Sequence, residues 1–407
     1  MSQRGITLYM HVHQPWRIRE YSIFDIAHDH RYFADYGHTD HNNKAVFQKV
    51  ADKSYRPMNA LLEKLLDEEP EFRLSLSITG TFIEQARAWA PDVLESFQQL
   101  VATGRVEIVA ETYHHSLAFF YDRDEFARQV ELHRQLIMDT FGVEMSAFRN
   151  TELAYNDELA AWAEQAGFST ILAEGWDGVL GWRSPNYVYR PAGAETIRLL
   201  LKNYRLSDDI AFRFSDKGWS EYPLDAHKYR QWMEAAFEGD APLVNLFMDY
   251  ETFGEHQWED TGIFRFFEQF VKQWLSSHDS TFYTVSQAAQ AADPIGDLSM
   301  PQTVTWADTE RDLTAWLGNG MQHEAMRHIY ALGEDVLASG NDELIADWRR
   351  LTTSDHSYYM CTKWHADGNV HAYFSPYDSP YDAFLFYMNA LRDVRYRVMQ
   401  HTRFGGL

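Results

Sequence analysis

The chain has 407 residues, of which 45% are hydrophobic and 15% aromatic, and its 36 Lys and Arg against 60 Asp and Glu give a formal charge of −24. Such acidity argues against nucleic acid, anionic membrane and polyanionic substrates as partners and leaves neutral ones open. The lone cysteine, Cys361, rules out an intrachain disulfide and any Cys-x-x-Cys site.

The first residues carry no basic stretch followed by an apolar one, and no window of about 18 uncharged apolar residues occurs. Neither a signal peptide nor a membrane-spanning helix is expected, and a cytoplasmic setting is the default. The length fits one large α/β barrel with an appendage, or two to three ordinary domains. The 13 Trp and 23 Tyr suit core packing, and equally the stacking of flat rings on sugars.

In chain order, short apolar runs alternate with amphipathic stretches, the signature of a parallel α/β sheet or barrel. Strands are predicted at Ile6–His13, Arg73–Thr79, Val106–Ala110, Ala147–Glu152, Thr170–Ala173, Ile197–Lys202, Val244–Asp249 and Phe282–Thr284. Leu243–Met248 is nearly continuous in apolar residues, as strands buried on both faces are. Helices are predicted at Asp124–Phe141, Asp157–Ala166 and Ile263–Leu275 from apolar spacing. Thr284 with Gln287 has the form of a capping box that opens another helix. Asp293–Pro301, with two prolines and a glycine, reads as a boundary. Beyond it Glu310–Leu337, Asp342–Leu351 and Ser379–Met399 look helical, which predicts residues 1–293 as a barrel and 302–407 as a helical region packed on it.

The P-loop, the Gly-x-Gly-x-x-Gly turn, the Gly-x-Ser-x-Gly elbow and the His-Glu-x-x-His helix are all missing from the sequence. Polar chemistry is left to strand ends. His11 and His13 fall on one face at the end of the first strand, followed by Gln14, Pro15 and Trp16. They suit sugar hydroxyls, a metal ion, or a structural bridge across the barrel mouth. Glu111 and His115, in a polar aromatic loop, suit substrate contact or support of it, and equally a surface charge pair. Glu152 closes an apolar run with Arg149 and Asn150 beside it, and a nearby cation keeps a carboxylate ionised. Asp249 follows the most apolar strand, where burial raises a carboxyl pKa toward that of a proton donor. Tyr250, Glu251 and His256 follow it in a loop that Gly254 lets bend tightly. Trp176, next to Asp177, could form a sugar platform, and Trp306 with Asp308 could close one side of a cleft; lone tryptophans serve as well in a core.

Together these motifs resemble glycoside hydrolase family 57, in its shorter α-amylase-like members. His11-Val-His-Gln-Pro15, Gly104–Val109 with Tyr113–Ser116, Arg149-Asn-Thr-Glu152 and Met248–Gly254 look like its first four conserved regions, in order. Trp306–Gly318 and Tyr373–Asp378 are similar to its helical tail. The resemblance implies an incomplete (β/α)7 barrel with a C-terminal helical domain that closes the cleft. It implies retaining cleavage of α-1,4 bonds in α-glucans or maltooligosaccharides, with transglycosylation when a sugar hydroxyl replaces water. Glu152 would be the nucleophile and Asp249 the acid/base, with no metal or cofactor. Substrate contacts would come from His11, His13, Gln14, Glu111, His115, Arg149, Trp176, Tyr250, Glu251, His256, Trp306 and Asp308. The sequence departs from the family pattern at Gln287, where Glu usually follows Thr-x-Ser, so no substrate contact carries over to that position. Two rivals stand beside this reading. One is a metal-dependent amidohydrolase or carbohydrate deacetylase using His11 and His13, with His115, Asp249 or His256 as further ligands. The other is a non-catalytic glucan-binding protein, against which the intact carboxylate pair argues.

Overall fold

The computed structural model describes residues 4–35, 42–237, 239–363 and 375–404. Tyr373 and Phe374 of the tail motif lie outside them. Seven parallel strands follow one another around a barrel: β1 (Arg4–Val12), β2 (Leu74–Ile78), β3 (Val106–Ile108), β4 (Ala147–Phe148), β5 (Thr170–Glu174), β6 (Arg198–Lys202) and β7 (Leu243–Asp249). Ladders join β7 to β1, β1 to β2, β2 to β3, β4 to β5 and β5 to β6. A single bridge, Ala110 with Phe148, continues β3 into β4. Between β6 and β7 no ladder forms among the described residues. Asn203 N–H donates to Asn245 O, and Asn245 Nδ2 to Leu201 O, both at 2.9 Å. The architecture is an incomplete (β/α)7 barrel.

Period-two alternation sorts the strand residues. On β1, Ile6, Leu8, Met10 and Val12 pack outward with helical residues such as Leu62, Leu65 and Phe82, whereas Tyr9 packs inward with Phe247, Leu172 and Leu200. On β7, Val244, Leu246 and Met248 belong to the outer core. The strand β8 (Ser280–Tyr283) pairs with Arg4–Thr7, the first half of β1, while β2 takes the second half. After β8 the predicted capping box is present, and helix Val285–Gln290 starts from Thr284. Val285 N–H donates to Ser75 Oγ and Ser286 N–H to the Glu107 carboxylate, so this helix plugs the end of the barrel where the strands begin.

Helices Arg123–Phe141, Asp157–Gln165 and Ile263–Leu275 cover the outside. After Pro301 the chain is helical, but not as one rod over Glu310–Leu337. It forms Thr314–Leu317, Gly320–Ala331 and Gly333–Ala338. Asn319 opens a new helix with its own capping box to Gln322, and Asp308 and Arg311 adopt positive φ in a tight loop. Asp342–Leu351, Ser354–Tyr358 and the long Pro380–Phe404 follow. Their core, around Met326, Trp348 and Tyr387, includes Ile18, Tyr21, Tyr32 and Phe33 from the segment after β1. The barrel thus sends one of its own loops into the helical layer. Among the described residues no helix is long and apolar enough to cross a membrane.

Candidate active site

The strands of a parallel barrel all end on one rim, and the catalytic residues of such barrels sit there. His11 lies near the end of β1 with His13 just beyond it; Asp249 is the last residue of β7. Glu111 stands just past β3 and Arg149 just past β4. Glu152 is not on a strand, contrary to the predicted range: β4 ends at Phe148, and Glu152 occupies a 3-10 turn, Thr151–Leu153. Its φ of 59° and the 50° of Leu153 are left-handed, which costs a non-glycine residue about 1–2 kcal/mol. Neighbours impose the turn. Tyr155 and Val304 exchange backbone hydrogen bonds at 2.9 Å, and Trp306 N–H donates to the Glu152 carbonyl at 3.3 Å.

His115 is the hub of the cleft. Its Nε2 lies 3.0 Å from Glu152 Oε1 and its Nδ1 3.2 Å from Glu111 Oε2. Glu111 Oε2 is also 3.2 Å from His11 Nε2, and His11 Nδ1 is 3.6 Å from Asp249 Oδ1. The run His115–Glu111–His11 therefore links Glu152 to Asp249. Ser77 Oγ donates to Glu111, and Arg149 Nη1 stands 3.5 Å from it. His13 packs on His115 with ring centroids 4.3 Å apart and meets Asp355 at 3.0 Å. Trp306 Nε1 donates to Glu152 Oε2 at 2.8 Å, so both oxygens of Glu152 are held.

These contacts set the charges. Burial pushes the Glu152 carboxyl up, but the hydrogen bond and charge of His115, with Arg149 behind, outweigh it and leave it below its ordinary value. Burial pushes the His115 imidazole down, yet Glu111 and Glu152 lift it to about 9. His13, desolvated and next to His115, falls to about 4. Asp249 departs from the raised value anticipated for it. Burial does push it up, but His11, His256 and Arg149 win, and in the open cleft it lies below its ordinary value. Its side chain is 42% exposed, so water still reaches it. Glu251 goes the other way: burial first, and then the charge of Asp249, raise it to about 8.

A model of glycosyl hydrolase family 57 matches residues 7–301. The chain belongs to glycosyl hydrolase family 57. A candidate alpha-amylase of Methanocaldococcus jannaschii is 43% identical over 369 residues, 88% of this chain and 78% of that one. Among solved structures, the 4-alpha-glucanotransferase of Thermococcus litoralis superposes with a TM-score of 0.67 at 16% identity, covering 90% of this chain and 56% of that one. A branching enzyme from Pyrococcus horikoshii gives 0.66 at 14% identity, covering 98% and 88%.

In this family 57 chain the other residues singled out in the sequence have varied places. Glu251 accepts from Tyr55 OH at 2.5 Å and from His13 N–H at 3.4 Å, and Gln14 Nε2 donates to the same Tyr55 at 3.1 Å. His256 adjoins Asp249 electrostatically. Gly254, at φ 108°, turns the loop against the Lys53 carbonyl, where a Cβ would clash. Two residues have their contacts elsewhere. Tyr250 is fully buried against Phe97, its hydroxyl on Asn59, in the layer outside the barrel. Trp176 packs on the core around β4 to β6. Asp308 pairs with Lys363 at 3.3 Å. Gln287, which closes a cap with Thr284 N–H, lies at the opposite end of the barrel from Glu152.

Sequence reasoning missed Ser77, Ser354 and Asp355. Ser77 had a signal, since Ser75, Ser77 and Thr79 alternate with Leu74, Leu76 and Ile78 and must face inward. Ser354 Oγ stands 3.4 Å from Glu152 Oε1 and, like Asp355, comes from the helical tail, where nothing local marks it. Two triplets, His11–Glu111–His115 and His13–His115–Asp355, offer donor atoms within 4.8 Å of one another and could hold a cation. In them His11 Nε2, His13 Nε2 and both ring nitrogens of His115 already face a carboxylate oxygen at 3.0 or 3.2 Å.

Proposed function

We propose that this family 57 enzyme is a retaining glycoside hydrolase cleaving α-1,4-glucosidic bonds in α-glucans or maltooligosaccharides, with Glu152 as nucleophile and Asp249 as acid/base. The observation that carries the reading is the linkage of these two carboxylates through His115, Glu111 and His11 on one barrel rim. Relatives named alpha-amylase and 4-alpha-glucanotransferase support the substrate class.

Glu152 meets the needs of a nucleophile: it is ionised, and both oxygens are fixed by N–H donors. It attacks the anomeric carbon while Asp249 gives its proton to the glycosidic oxygen, forming a covalent glycosyl-enzyme. Asp249 then takes a proton from water, which releases the sugar with net retention. A glucan filling the cleft excludes water from the exposed face of Asp249. Desolvation then raises its pKa toward that of a proton donor. A sugar hydroxyl in place of water makes the same step a transglycosylation. Residues 1–293 and 302–407 act around this cleft as one unit, since Asp355 and Ser354 reach it from the helical side.

The test is product analysis on maltooligosaccharides with Glu152→Gln beside the wild type. The wild type is expected to release α-anomers first, seen by proton NMR. Glu152→Gln should lose on the order of a hundredfold or more in turnover. Near wild-type activity in Glu152→Gln would overturn the assignment and move it to Glu111 or Glu251.

A further inference from the structure

Four ionisable side chains that this chemistry does not use form a closed set beside the cleft. Glu174 ends β5, Lys202 ends β6, Asp208 closes the short helix Tyr204–Asp208, and Arg311 comes from the loop after Pro301. Glu174 is 0%, Lys202 4% and Asp208 8% exposed. Lys202 Nζ lies 2.9 Å from Asp208 Oδ1 and 3.7 Å from Glu174 Oε2. Arg311 Nη1 lies 3.0 Å from Glu174 Oε2 and its Nη2 3.5 Å from Asp208 Oδ2. Two cations and two anions cancel, which makes the burial tolerable. Apolar side chains of the same volume often serve stability as well as buried ion pairs do, so stability alone is a weak reason for these charges.

What the set holds is one carbonyl. Arg311 Nη1 donates to Trp306 O at 2.5 Å. Trp306 in turn grips Glu152 with its backbone and its indole N–H. The indole has Arg149 Cζ 5.3 Å and Lys202 Nζ 5.6 Å from its centroid. Arg311 and Asp308 take φ of 53° and 54°, a strained shape that persists only where surroundings impose it. Thr305 closes the loop, its N–H on Arg311 O at 2.9 Å and its Oγ1 on Asp312 O at 2.8 Å.

We propose that Arg311 is a positioning residue for Glu152: clamped by Glu174 and Asp208, it fixes the Trp306 carbonyl and thereby aims the indole N–H at Glu152 Oε2. The inference rests on the reading of Glu152 as nucleophile. Its test compares Arg311→Lys, Trp306→Phe and the double variant on maltooligosaccharides. Lysine keeps the charge but cannot fork to three oxygens. Arg311→Lys should melt close to the wild type and keep KM within about twofold, while kcat falls about tenfold to a hundredfold, as misplaced groups cost. Trp306→Phe should show the same split. The double variant should be no worse than the poorer single one, because both remove one hydrogen bond. If Arg311→Lys does not fold, Arg311→Gln with Glu174→Gln removes the fork at constant net charge and should show the same kcat loss. Wild-type kcat in the Arg311 variant, losses that multiply in the double variant, or a loss confined to KM would each overturn the proposal. Glu152→Gln runs in parallel. If it stays active, the nucleophile reading fails; if it is inactive while Arg311→Lys is normal, this inference alone fails.

Discussion

His115 donates to Glu152 Oε1 across 3.0 Å, while the other side of its ring faces Glu111 at 3.2 Å. A single imidazole thus ties the candidate nucleophile to a carboxylate that is fully buried. Glu111 is held well below its ordinary value by His11, His115 and Arg149 despite its burial, so it stays charged and keeps His115 protonated.

Removing that imidazole removes the main influence that lowers Glu152. His115→Asn should therefore raise the Glu152 pKa, and the acid limb of kcat/KM should move to higher pH. The turnover lost should be about tenfold to a hundredfold, the worth of a hydrogen bond to a charged group. A pH–rate profile measures both. An unmoved acid limb would show that His115 does not set the charge of Glu152.

Asp249→Asn separates the two chemical steps. A maltosyl fluoride has a leaving group that needs little protonation, so this variant should keep its glycosylation step, seen as a burst of fluoride. Breakdown of the intermediate needs a general base and should stall. Azide needs no such base and should restore turnover, giving the α-glycosyl azide. A variant that azide fails to rescue would remove Asp249 from the acid/base role.

Glu251 carries a pH dependence of stability. Its folded pKa of about 8 lies above its ordinary 4.5. Below the ordinary value both states hold the proton. Between the two values the unfolded chain releases it and the folded chain keeps it, so stability falls as pH rises, and then levels off above about 8. Glu251→Gln should flatten the Tm profile between about pH 5 and about pH 8 and melt higher at the upper end. Parallel profiles for the two proteins would contradict this.

The two His-rich triplets make a metal test worthwhile. The carboxylate mechanism draws on no metal ion, so activity on maltooligosaccharides should survive exhaustive dialysis against a chelator. Activity lost to the chelator and restored by zinc would favour the amidohydrolase-like rival instead.

Local patterns in the sequence determined much of this molecule. Alternation placed the strands, the Thr284 and Gln287 pair announced a helix, and ionisable residues after apolar runs marked the rim, because side-chain period and capping depend on neighbours a few residues away. Tertiary structure alone decided the rest. Trp306 reads as a cleft wall in the sequence, yet it donates to Glu152 across 154 positions of chain, and Asp355 reaches His13 across 342. The pattern Ala147–Glu152 reads as a strand, but Glu152 sits in a left-handed turn just before Tyr155, which pairs with Val304. Burial alone would raise Asp249, and only the arrival of His11, His256 and Arg149 from other parts of the chain reverses the sign. A carboxylate's charge is a sum over everything within a few ångströms, and the sequence does not order residues by distance in space.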